Sequence, residues 1–165
     1  MNQVKVGVVG VGYLGKHHAR WYKTIPSVEL VGVYDINPER CHSVAADLGV
    51  KAYKNIDEVI GEVNAVSIVV PTKKHYEVAS RFLDNKIHCL IEKPISVTYE
   101  EAQKLIKKAK ENGVVLTVGH IERFNPAVKA LQQYNLNPKF IEAHRLSAFN
   151  PRGADVAVIL DLMIH

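Results

Sequence analysis

Apolar positions along the chain gather into short runs separated by stretches of helical spacing, and the alternation repeats six times. Val4 to Val9 (VKVGVV), Val28 to Tyr34, a short piece at Ala52-Tyr53, Ala65 to Val70 (AVSIVV), Ile87 to Ile91 and Val114 to Val118 form the apolar runs. Several are rich in β-branched residues and bounded by glycine or proline, the pattern of strands buried on both faces of a parallel sheet. Between them, Leu14, Ala19 and Tyr22 share one helix face, as do Cys41, Val44, Ala45 and Leu48. A short helix is predicted near Asp57 to Ile60. Two longer ones carry the stripes Val78, Ala79, Phe82, Leu83 and Ala102, Leu105, Ile106, Ala109. Asn37-Pro38 places a cap and a first-turn proline at one helix start, and Gly49 closes that helix. Ser96 to Thr98 opens the long helix that Gly113 stops. Strands alternating with helices long enough to cross the sheet predict an α/β fold, a doubly wound parallel sheet.

From about Arg123 the pattern changes. Asn125-Pro126 opens a modest helix reaching Tyr134, Lys139 to Phe149 reads as a long strand, and Val156 to Ile164 (VAVILDLMI) is almost wholly apolar. A helix apolar on most sides needs protein around it. Residues 1–122 are therefore expected to form one domain and 123–165 the incomplete beginning of a second. The chain is expected either to continue beyond His165 or to have this end covered by another chain.

Composition narrows the class. With 47% hydrophobic and 23% charged residues the chain is that of an ordinary globular protein. A net charge of +4, with lysines gathered on the predicted helix at Lys104, Lys107, Lys108 and Lys110 beside glutamates, reads as a solvated face rather than a nucleic-acid surface. Cys41 and Cys89 match no metal spacing and read as small core residues in a reducing compartment. No segment has the pattern of a secretory leader or approaches a membrane span. A cytoplasmic protein is expected, with no nucleic-acid or membrane partner and no bound metal.

The candidate chemistry lies where the strands end, because open α/β sheets bind ligands outside the carboxyl ends of their strands. The first strand runs into Gly10-Val11-Gly12-Tyr13-Leu14-Gly15, a G-x-G-x-x-G turn followed by a helix. Gly10 permits the tight turn, Gly12 lets the backbone approach a pyrophosphate, and Gly15 lets the helix pack close. Asp35, twenty positions after Gly15 and at the end of the second strand, is placed to accept a ribose hydroxyl. This predicts dinucleotide binding, with NAD favoured over NADP because the carboxylate repels a 2′-phosphate. Arg40, five residues further on, softens that choice.

The other loops at these ends are Pro71-Thr72 to His75, Glu92-Lys93-Pro94 and Gly119 to Arg123. Lys93 either works on a hydroxyl, of substrate or of the nicotinamide ribose, or is simply a solvated lysine. His75 reads equally as a cap or a cofactor contact, while His17 and His18 read as surface or packing residues. Arg123 suits a substrate oxygen or phosphate. Asp161 and His165 share one helix face in an apolar segment, which is costly unless the pair is used or bonded. Acid–base catalysis and a buried structural pair are both consistent with that spacing. No serine nucleophile elbow is present.

The order and spacing of Gly10-x-Gly12-x-x-Gly15, Asp35, Pro71-Thr72-x-x-His75, Glu92-Lys93-Pro94, Arg123-Phe124-Asn125-Pro126 and Asp161-x-x-x-His165 resembles the Gfo/Idh/MocA oxidoreductases along the whole chain. The resemblance implies an N-terminal Rossmann domain binding NAD(P) and a second domain that lines the substrate and mediates homo-oligomers. It implies Lys93 beside the nicotinamide, Asp161 and His165 as the acid–base pair, and Arg123 to Asn125 next to the substrate. His120 to Pro126 with Asp161 to His165 looks most like the branch acting on nucleotide sugars, UDP-N-acetylglucosamine at C3 among them. The expected activity is an NAD-dependent dehydrogenation of a sugar or nucleotide-sugar hydroxyl. The alternative is a non-catalytic dinucleotide-binding module or sensor that needs a partner chain.

Overall fold

The computed structural model describes residues 3–135, 137–142 and 144. These fall into two compact units that divide after Val118. The first is a six-stranded sheet: β1 (Val4–Val9), β2 (Val28–Tyr34), β3 (Lys51–Ala52), β4 (Ala65–Ile68), β5 (His88–Ile91) and β6 (Leu116–Val118). All neighbouring strands are parallel, in the order β3-β2-β1-β4-β5-β6. That is the Rossmann order, with the connections reversing direction between β1 and β4.

Five helices cover the two faces: α1 (Tyr13–Tyr22), α2 (Pro38–Leu48), α3 (Ile56–Ile60), α4 (His75–Asp84) and α5 (Tyr99–Asn112). Val8, Leu30 and Val33 pack with Ala19 of α1 and Cys41, Val44 and Ala45 of α2. Val66, Ile68, Cys89 and Ile91 pack on the other face with Val59 of α3, the α4 stripe Val78, Ala79, Phe82 and Leu83, and Leu105 and Ala109 of α5. Of the stripe expected on α5, Ile106 is instead 45% exposed, because α5 presents a narrow edge to α4. Both cysteines are buried and free, and desolvation pushes the Cys89 thiol up to about 12.

Local signals set the helix ends. The Asn37, Asn55 and Thr98 side chains each accept the backbone N–H three residues on. Gly49 and Gly113 close α2 and α5 at φ +62° and +67°, a left-handed conformation that glycine adopts without penalty.

The second unit begins with a 3₁₀ turn at Ile121–Phe124 and a helix, α6 (Pro126–Leu131). Of the strand expected over Lys139 to Phe149, residues 139–142 and 144 are described and none is strand, since no partner strand lies beside them among the described residues. Asp161 and His165 lie outside the described residues.

Candidate functional site

The ladder continues past the strand ends and brings three turns to one edge. Gly10 N–H donates to the Tyr34 carbonyl at 2.8 Å, Val69 N–H to Val9 at 2.8 Å, and Glu92 N–H to Ile68 at 3.0 Å. The turns after β1, β4 and β5 are thus bonded in sequence across the switch point.

Gly10 has φ +88°, and a Cβ there would overlap the Val69 carbonyl. A Cβ on Gly15 would overlap the Gly10 carbonyl oxygen, so its role is to seat α1 on the turn itself. Gly12 is different, with nothing within 4 Å of its Cβ position. It opens α1 with no side-chain cap, at the positive end of the helix dipole. An uncapped helix start behind an open glycine fits a pyrophosphate. Of the residues between these glycines, Tyr13 is exposed and stands edge-on to His17, 5.2 Å between ring centroids, while Leu14 is half-buried.

Asp35 is only 6% exposed and already holds the turn together. Its Oδ2 accepts Val11 N–H at 2.9 Å, its Oδ1 accepts Asn37 N–H at 2.9 Å, and Arg40 Nη1 lies 3.4 Å from both oxygens. The carboxylate expected to meet a ribose is therefore also a brace between the ends of β1 and β2. Each of its oxygens keeps further acceptor capacity.

Across the switch point the loops are held by side chains. His75 is 1% exposed, with Nδ1 2.8 Å from the Pro94 carbonyl and Nε2 2.8 Å from the Val70 carbonyl. It does not cap α4, and both ring nitrogens are spent tying the loop after β4 to the loop after β5. Thr72 is buried in the 3₁₀ turn before α4, and Pro71 is exposed. Lys93 is half-buried, its peptide to the buried Pro94 is cis, and its backbone N–H donates to Glu92 Oε2 at 3.2 Å.

His18 was expected on the surface or in packing. It bridges instead: Nε2 lies 3.1 Å from Glu92 Oε1, and Nδ1 lies 2.7 Å from the hydroxyl of Ser67, which is fully buried in β4. Nearby on α1, burial raises the Tyr22 hydroxyl above the ordinary tyrosine value. Burial alone would raise the Glu92 carboxyl, yet His18 and Lys93 together hold it below the ordinary carboxylate range. The signals for this network were in the sequence. Leu14, His18 and Tyr22 are spaced by four along α1, and Ser67 interrupts an otherwise apolar strand, where a hydroxyl must find a partner.

In the second unit Arg123 is exposed. Asn125 caps α6, its Oδ1 accepting Ala127 N–H at 2.9 Å and its Nδ2 donating to Glu122 Oε2 at 2.8 Å. Among the described residues no group of three or more His, Cys, Asp or Glu is arranged to hold a metal ion, and no helix is long and apolar enough to cross a membrane.

Comparison with known proteins agrees with this geometry. The family model described as an oxidoreductase family with an NAD-binding Rossmann fold matches residues 4–120. The chain is 46% identical to a UDP-N-acetylglucosamine 3-dehydrogenase of Acidithiobacillus ferrooxidans over 166 residues, covering 100% of this chain and 52% of that protein. The solved structure of that enzyme superposes with a TM-score of 0.91 over 99% of this chain and 54% of its own. A glucose-6-phosphate 3-dehydrogenase of Bacillus subtilis is 33% identical over 133 residues, 81% of this chain and 38% of that protein. GenD2 from gentamicin A biosynthesis, solved in complex with NAD, is 28% identical with a TM-score of 0.77, covering 81% of this chain and 39% of its own. The chain thus spans about half the length of the first of these relatives, and less of the others.

Proposed function

The chain belongs to the Gfo/Idh/MocA oxidoreductase family, and from that premise we propose that it binds NAD along the strand ends and serves the dehydrogenation of a sugar or nucleotide-sugar hydroxyl. The observation that carries the dinucleotide is the open, uncapped start of α1 at Gly12, next to a buried Asp35 at the end of β2. Gly10 to Gly15 would hold the pyrophosphate, and Asp35 the adenosine ribose. Pro71, Thr72 and the Glu92–Pro94 loop would flank the other half, with His75 keeping the last two loops together. A carboxylate at Asp35 disfavours a 2′-phosphate, so NAD is the preferred form, although Arg40, 3.4 Å from that carboxylate, tempers the preference.

Whole-chain identity to a UDP-N-acetylglucosamine 3-dehydrogenase supports a nucleotide-sugar substrate oxidised at C3. When bound, nicotinamide supplies the acceptor for the hydride that leaves the hydroxyl carbon. Lys93 or His165 takes the hydroxyl proton as the carbonyl forms, with Asp161 beside His165 and Arg123 and Asn125 next to the sugar. In this reading residues 1–122 are the cofactor domain and 123–165 the start of a substrate domain that also carries homo-oligomer contacts, in a cytoplasmic enzyme.

The test has two arms. Calorimetric titration with NAD and NADP should give tighter binding of NAD, and tighter NADP would overturn the Asp35 argument. The protein as its native cell makes it should then reduce NAD to NADH as it oxidises UDP-N-acetylglucosamine. Lys93→Ala should lower turnover at least about a hundredfold with NAD affinity within a few-fold. Binding of NAD with no turnover of any sugar would favour a non-catalytic module.

A further inference from the structure

The hydroxyl of Ser67 sits in the middle of β4 at 0% exposure, between Val66 and Ile68, where an unbonded polar group is costly. Its side-chain partner comes from α1: His18 Nδ1 at 2.7 Å. The same imidazole reaches out of the core with Nε2, 3.1 Å from Glu92 Oε1, and the other oxygen of Glu92 accepts the backbone N–H of Lys93. Three side chains, Ser67 from β4, His18 from α1 and Glu92 at the end of β5, thus make one continuous chain of hydrogen bonds ending at the backbone of Lys93.

A neutral ring protonated on Nε2 satisfies every link. The Nε2–H donates to Glu92 and Nδ1 accepts the Ser67 hydroxyl proton. The Glu92 side chain is 12% exposed and that of His18 20%. A carboxylate this sheltered must have fixed donors to remain ionised, and the His18 side chain supplies one.

We propose that His18 is a positioning residue for the nicotinamide half of the site, acting through Glu92 on the backbone at Lys93. The proposal rests on the dinucleotide reading above. In that reading the adenosine half lies over β1 to β3, because Asp35 ends β2, and the remaining half lies over β4 to β6. The described side-chain bonds of His18 go to Ser67 and Glu92, and none goes to the turn Gly10–Gly15 or to Asp35. The loss of His18 is therefore felt on one side of the switch point.

Two readouts test it, one needing no ligand. Hydrogen exchange at the Lys93 amide should accelerate in His18→Ala, since Glu92 is released, and return towards the wild-type rate in His18→Gln, whose amide donates to Glu92 and accepts from Ser67. Unchanged exchange in His18→Ala, or a Gln variant no better than Ala, would overturn the proposal. The second readout compares ADP, which occupies only the adenosine half, with NADH. His18→Ala should weaken NADH about tenfold and leave ADP within about twofold. A parallel loss of both would mean a merely structural role. Were His18→Ala not to fold, Ser67→Ala reads the same link from its buried end and should show the same split, smaller in size; equal effects on the two ligands would overturn the proposal. Failure of the wild-type chain to bind either probe would sink the dinucleotide reading and the ligand split with it, whereas the exchange experiment would still report on the His18–Glu92–Lys93 link.

Discussion

Around the turn after β1 the working atoms belong to the backbone; around the loop after β5 they belong to side chains. Gly10, Gly12 and Gly15 act by lacking a Cβ, and the one carboxylate involved, Asp35, bonds to the main-chain N–H groups of Val11 and Asn37. Across the switch point, Glu92 and Pro94 are held by the imidazoles of His18 and His75, one from α1 and the other from the start of α4. Glycines that act by lacking a Cβ work within a few residues of the turn, and they do not titrate. A site made from titratable side chains can be tuned residue by residue, and depends on elements far apart in the chain.

The largest expected effect strikes the backbone half. Gly15→Ala drives a Cβ into the Gly10 carbonyl oxygen, and with no flexible side chain to yield, α1 must shift. A loss of about 3 kcal/mol in urea denaturation is expected, at the upper end of what overpacking costs. Gly12→Ala should cost less than about 1 kcal/mol, the difference between glycine and alanine at a helix cap, yet weaken dinucleotide binding about tenfold or more as its methyl meets a phosphate. Equal destabilisation by both substitutions would break the distinction between a packing glycine and a binding glycine.

Asp35→Ala comes next. It strands two backbone donors and Arg40 in a part-buried site, and a loss of about 2–3 kcal/mol is expected by the same measurement. A variant as stable as wild type would mean that the brace between β1 and β2 is dispensable and that the carboxylate serves the ligand alone.

Glu92→Gln should have the smallest effect, visible chiefly as pH dependence. The folded protein holds the Glu92 carboxyl below its ordinary value, about 4.3 in an unstructured chain. Its contribution is therefore present above that pH and lost as the pH falls through the lowered folded value. Urea midpoints from about pH 7 to about pH 3 should fall less steeply for Glu92→Gln than for wild type. Superimposable profiles would show that the His18 contact does not stabilise the charged form.

Much of this was legible without coordinates, and the exceptions follow a rule. The six strands, the α4 stripe from Val78 to Leu83, the caps at Asn37 and Thr98 and the stops at Gly49 and Gly113 depend on neighbours within a few residues. Their signals are written in adjacent positions. Where the expectation differed, a distant partner decided. Ile106 matches the helical stripe but faces solvent, because only one edge of α5 meets α4. His75 read as a cap or a cofactor contact, yet its ring is consumed by two carbonyls, one of them nineteen residues away. His18 read as surface or packing, and its partner Ser67 lies forty-nine positions along the chain.

By itself the sequence determined the fold class, the glycine turn and the acidic residue that follows it, since hydrophobic period and the missing Cβ of glycine act locally. The tertiary structure decided that Asp35 braces two turns, that Gly15 seats a helix on the Gly10 carbonyl, and that an imidazole from α1 reaches the loop after β5. Hydrogen bonds between side chains depend on which strands lie side by side, and the placement of β1 between β2 and β4 puts α1 over a serine and a glutamate that arise much later in the chain.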